Sequence, residues 1–78
     1  MSVPNTLPIA QHRVLAYLAE YSPSGTGDIA KALRMNRDKI RGALNGLAAK
    51  GLVSSDPAMY PISFEITEQG RKELEAES

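Results

Sequence analysis

Residues 26 to 53 read TGDIAKALRMNRDKIRGALNGLAAKGLV, and the fold turns on how this stretch divides. Its later part sets Ile40, Ala43, Leu44, Leu47 and Ala48 at i, i+3, i+4, i+7 and i+8, the apolar stripe of one amphipathic helix. Asn36 is suited to cap that helix, because its side-chain oxygen can accept from an otherwise unpaired N–H of the first turn. Gly51 stands where a helix gives way to a left-handed residue. The spacing therefore predicts a helix over 36–50. Upstream, RMN is turn material, and Ile29, Ala30 and Leu33 make the buried side of a shorter helix over 26–34, with Thr26 as its expected N-cap. Two short helices joined by so tight a turn form a helix-turn-helix unit.

The longer helix also carries Gly42 and Gly46, each costing on the order of 1 kcal/mol relative to alanine. Taking about 100° per residue and centring the buried stripe on Ile40 puts Asp38, Arg41, Gly42, Asn45, Gly46 and Ala49 on the outer side. The glycines then mark a bare surface that something bulky could approach closely.

Working outward, LPIAQHRVLAYLAEY (residues 7–21) predicts a first helix over 9–21, with Leu7, Ala10, Val14, Tyr17, Leu18 and Tyr21 facing inward and His12, Ala16 and Ala19 on the other side. Residues 1–7 read as a flexible lead, and SPSGTG breaks the chain. Beyond Gly51 the period changes to two: Tyr60, Ile62, Phe64 and Ile66 alternate with Pro61, Ser63, Glu65 and Thr67, LVSS is a short partner, and DPAMYP connects them. This is a β-hairpin over 52–67. Thr67 can cap a last helix over 68–77, whose one large apolar residue is Leu74. The expected architecture is a single α+β domain over 1–78, a winged helix-turn-helix made of a three-helix bundle, a C-terminal β-hairpin wing and a short final helix.

A chain of 78 residues leaves room for one domain. With no cysteine and a lone histidine, it offers neither a disulfide framework nor a recognisable nucleophile or metal-ligand set. The reading is therefore a non-enzyme with no catalytic residues, no metal and no cofactor. No apolar stretch approaches spanning length and the first residues do not form an export signal, so the expected location is cytoplasmic. Formal net charge is zero, yet the charges are segregated. Residues 27–51 hold six basic side chains against two acidic ones, and residues 52–78 hold two basic against six acidic. A positive middle and a negative end favour a polyanionic partner at the middle.

The stretch quoted at the outset resembles the helix-turn-helix segment of small prokaryotic transcriptional regulators of the MarR-like winged-helix groups. FEITEQGRKEL (residues 64–74) is similar to the hydrophobic-Thr-x-x-Gly stretch that follows the wing in them. The resemblance spans residues 9 to about 75. It implies a sequence-specific double-stranded DNA-binding protein whose third helix enters the major groove. On that implication Arg41 and Asn45 suit guanine and adenine edges, and Gly42 lets the groove come close. Lys31 and Arg34 act as backbone clamps and Arg37 and Lys39 as flanking phosphate contacts, while Asn36 and Asp38 complete the DNA-facing set. The wing departs from the family pattern: SSDPAMYP has no basic residue, so nothing in it matches the phosphate contacts that wings of the family supply. That departure motivates a rival, a winged-helix module that binds a protein partner through Met59, Tyr60 and the bare glycine face. A third reading, a winged helix for left-handed or RNA duplexes, fits less well, because such domains rely on an aromatic residue on the third helix where this chain has Asn45. A homodimer would bind a palindromic site.

Overall fold

In the computed structural model, which describes residues 7–55 and 62–77, the order of elements is α1 (Ile9–Tyr21), β1 (Ser24–Gly25), α2 (Thr26–Leu33), α3 (Arg37–Ala49), β2 (Val53–Ser55), β3 (Ser63–Ile66) and α4 (Glu68–Glu77). The three-stranded antiparallel sheet has the order β1-β3-β2, with Val53 opposite Ile66 and Ser24 opposite Phe64. This is the winged-helix architecture of the sequence reading. The hairpin tip, including Met59 and Tyr60, lies outside the described residues, as do residues 1–6.

The core forms where the apolar stripes of the three helices meet. Val14, Leu15 and Leu18 of α1 interlock with Ile29 of α2 and with Ile40, Leu44 and Leu47 of α3, all essentially without solvent contact. Leu52, Val53 and Ile66 close the core from the sheet side. Several expectations shift here. Leu7 is buried, as its inward placement implied, so the stretch read as a flexible lead is packed at its last residue. Tyr21, placed inward, is 58% exposed and stacks on the half-buried Tyr17 with ring centroids 4.9 Å apart, while Leu15 takes an inward position the spacing did not assign. Ala48 is exposed, because the stripe of α3 ends at Leu47 where the chain turns into β2. Ile62 is 47% exposed, so burial along the hairpin fades towards its tip.

β1 was not foreseen. It consists of two residues of the SPSGTG break, and only its ladder with β3 makes it a strand. The junction is held by side chains that satisfy the end of α1. Ser22 Oγ donates to the Leu18 carbonyl and accepts from the Ile66 N–H at 3.1 Å, the buried Ser24 Oγ donates to the Tyr21 carbonyl, and Arg71 Nη1 reaches the Ala19 carbonyl at 3.5 Å. Helix ends leave carbonyls without intrahelical partners, and these groups take them up.

The last helix is anchored by Thr67. Its Oγ1 donates to the Gly51 carbonyl at 2.8 Å and accepts from the Gly70 N–H at 3.0 Å, while its own N–H donates to the Leu52 carbonyl at 3.0 Å. Gly51 itself is left-handed, with φ 77°. Thr67 is thus the N-terminal cap the sequence suggested and also ties the end of α3 to the start of α4. No helix among the described residues is long and apolar enough to cross a membrane.

Candidate nucleic-acid interface

The turn between α2 and α3 is built at some expense. Arg34 caps α2 in the left-handed region (φ 58°, ψ 44°), its N–H donating to the Ala30 carbonyl. A non-glycine residue there gives up about 1 kcal/mol or more relative to glycine. Asn36 has extended backbone and accepts from the Lys39 N–H at 2.8 Å, so α3 begins with the side-chain cap the sequence implied. Thr26 does not cap α2. It is the first helical residue, and Gly25, held in extended backbone by the β1 ladder, occupies the capping position.

The turn brings the basic residues together on the outside. Lys31, Arg34, Arg37, Lys39 and Arg41 are all exposed, and among the described residues only Arg41 of these pairs with a carboxylate. Arg41 Nη1 is 3.5 Å from Asp38 Oδ1, one turn earlier on α3, with both side chains open to solvent. The Arg37 guanidinium lies over Gly27: a Cβ at position 27 would stand 3.0 Å from its Nη2. The absence of a side chain at position 27 therefore leaves room for the end of the Arg37 side chain at the start of α2. Asp38, Gly42 and Asn45 are exposed with Arg41 along α3. Asn36 is committed to the cap.

The two glycines of α3 separate. Around Gly42 an added Cβ would find no atom within 4 Å, so this position is open, as the sequence placed it. Gly46 is not on the free face. Its missing side chain leaves space for Gln11 of α1, whose Nε2 a Cβ at position 46 would overlap and whose Cδ it would meet at 3.1 Å. Gln11 Oε1 in turn accepts from Lys50 Nζ at 2.8 Å, closing a bridge from α1 to the end of α3. The helical wheel set Gly42 and Gly46 on one side because they are one turn apart, but α1 crosses only the second. Gly42→Ala is therefore expected to raise stability by up to about 1 kcal/mol, whereas Gly46→Ala should be near neutral, since the propensity gain is offset by displacement of Gln11 and its hydrogen bond. Thermal melting of the two variants tests this; equal gains would mean that the Gln11 contact carries no energy.

Sequence reasoning also left out Arg13. Its Nη2 donates to the Leu33 carbonyl at 3.1 Å, placing a cation from α1 next to the Arg34 turn and at the C-terminal end of α2. No local signal marks it, because the contact joins residues twenty positions apart. His12, expected to face outward, is half-buried. The acidic residues Glu65, Glu68 and Glu75 are exposed on β3 and α4. No group of three or more His, Cys, Asp or Glu side chains that could hold a metal occurs among the described residues.

No protein-family model and no curated protein matches the sequence. Solved structures do match the fold. The chain is similar to Bordetella bronchiseptica BpsR, a protein described in terms of the regulation of its DNA binding by 6-hydroxynicotinic acid, with a TM-score of 0.84 and 27% identity over 96% of this chain and 59% of that one. It is similar to the transcriptional regulator BldR from Sulfolobus solfataricus, with a TM-score of 0.79 and 27% identity over 90% of this chain and 52% of that one. A MarR family transcriptional regulator from Silicibacter pomeroyi superposes with a TM-score of 0.83 at 22% identity, over 91% of this chain and 49% of that one, a likeness of fold alone. The chain thus spans about half the length of the regulators it matches. By architecture it is a winged helix-turn-helix domain, and its structural counterparts include MarR-family transcriptional regulators.

Proposed function

We propose that the chain is a sequence-specific double-stranded DNA-binding protein, a transcriptional regulator that inserts α3 into the major groove. The observation that carries this reading is the cluster at the α2–α3 turn. Four basic side chains, Lys31, Arg34, Arg37 and Lys39, are exposed without a carboxylate partner among the described residues, on a fold whose structural counterparts are transcriptional regulators. In this reading these four side chains, joined by Arg13, meet phosphates, which position the protein without reading sequence. Arg41 and Asn45 meet base edges, and the open space at Gly42 admits the groove close to the α3 backbone. Asn36 serves the interface by fixing the start of α3. The cytoplasm is the proposed location, and a homodimer would bind two half-sites spaced by its own symmetry.

Arg34 provides the test, because there stability and binding pull in opposite directions. Strained residues persist where they serve a site. Arg34→Gly is expected to stabilise the fold by about 1 kcal/mol, a rise in melting temperature of roughly 4–8 °C, while weakening a random duplex and reducing the log-log salt slope by about one. A variant that melts higher and binds DNA unchanged would take Arg34 out of the interface. The measurement is a fluorescence anisotropy titration at several salt concentrations beside a thermal melt.

A further inference from the structure

We propose that Asp38 and Arg41 act together as one recognition element for a G·C base pair. The proposal rests on the DNA-binding reading above and goes beyond it by naming the base pair and giving the acidic residue a task. A carboxylate on a surface that meets a polyanion weakens non-specific binding, and an exposed pair such as Asp38 and Arg41 contributes little to folding. Asp38 nonetheless stands within 3.5 Å of Arg41 on the exposed side of α3. Gly42, the next residue, leaves the adjoining space empty, so even a side chain as short as that of Asp38 comes within reach of a base edge.

The chemistry of the pair matches one base pair better than the other. In the major groove a G·C pair presents two acceptors, N7 and O6 of guanine, and then a donor, the N4 amino group of cytosine. Arg41 offers two parallel donors and Asp38 an acceptor beside them, in the complementary order. An A·T pair presents acceptor, donor, acceptor, so the adenine amino group would oppose a guanidinium N–H and the thymine oxygen would oppose the carboxylate. Asp38 therefore acts in two ways. It positions the Arg41 fork, and it penalises A·T at the same step.

The experiment uses the full chain and a duplex selected by the wild-type protein from a random library. That duplex is compared with versions carrying 7-deazaguanine at single guanines, with versions carrying single G·C to A·T replacements, and with a random duplex. Wild type is expected to show one guanine whose N7 removal weakens binding about tenfold or more. At that position Asp38→Asn should lose most of the preference for G·C over A·T, while binding the random duplex at least as tightly as wild type, because a negative charge has left the surface. Arg41→Lys keeps the charge but not the fork, and should lose the N7 dependence, weakening the selected duplex by more than it weakens the random one. A melting curve for each variant identifies any that fails to fold, and the other variant then decides. A purely structural role for Asp38 would lower stability and leave base preference alone. A G·C preference that survives Asp38→Asn, or a selected site with no required G·C pair, overturns the proposal. Failure of the wild-type protein to bind any duplex at low salt is a different result: it removes the DNA-binding reading itself, and the proposal with it.

Discussion

Gly70→Ala is expected to destabilise the protein by about 2–3 kcal/mol, although alanine is the better helix former. Gly70 is buried in α4, directly against Leu52 and Ile66. A Cβ there would overlap the Leu52 carbonyl oxygen and stand 2.7 Å from Ile66 Cγ1 and 3.2 Å from the Leu52 carbonyl carbon. The obstruction is mostly backbone, and the Leu52 carbonyl is already engaged by the Thr67 N–H. It cannot swing aside as Gln11 can at Gly46. Relief requires α4 to lift, which would strain the Thr67 bonds to Gly51 and Gly70. A domain of this size has total stability on the order of 4–12 kcal/mol, so the loss should lower the melting temperature by roughly 8–24 °C. Circular dichroism melting checks it; a change of less than about 4 °C would show that α4 is not held against Leu52 as closely as described.

Arg41→Ala should weaken the preferred duplex by about 1–3 kcal/mol more than it weakens a random one, whereas Lys31→Ala should weaken both alike. The difference follows from position. Arg41 lies on the exposed side of the helix proposed to enter the groove, between Asp38 and the open space at Gly42. Lys31 sits in the last turn of α2. Its reach is to phosphates, which are the same in every sequence. Competition titrations with the two duplexes give the result directly. Equal effects from the two substitutions would make Arg41 another phosphate contact, with sequence read elsewhere.

The parts of the fold that were legible are those specified by local chemistry. The Ile40, Ala43, Leu44, Leu47 stripe, the Asn36 cap, the left-handed Gly51 and the Thr67 cap each rest on residues within a few positions of one another. What was not legible depends on partners far along the chain. Ser24 and Gly25 become a strand only because Phe64 and Ser63 lie opposite them, some forty residues later. Gly42 and Gly46 are alike on a helical wheel and differ only because Gln11 of α1 covers one of them. Tyr21 turned outward and the unassigned Leu15 inward because the inward arc of α1 is set by where α3 lies. The left-handed Arg34 gave no sign of itself, since the usual mark of such a position is glycine. For the interface, residue types and order pointed to the basic turn and set Asp38 and Arg41 on one side of α3, while the Arg13 contact with Leu33 required three dimensions.

Whether the α2–α3 turn meets DNA is decided by the salt dependence of duplex binding. Three to five phosphate contacts from the α2–α3 turn, at about 0.9 ions released per contact, give a log-log slope of roughly −3 to −4.5 per domain. Measurable binding at low salt is expected, with a slope in that range that falls by about one when Lys31 is replaced by alanine. Binding that is undetectable at low salt, or that does not change with salt, would contradict it and leave the winged helix as a surface for a protein partner.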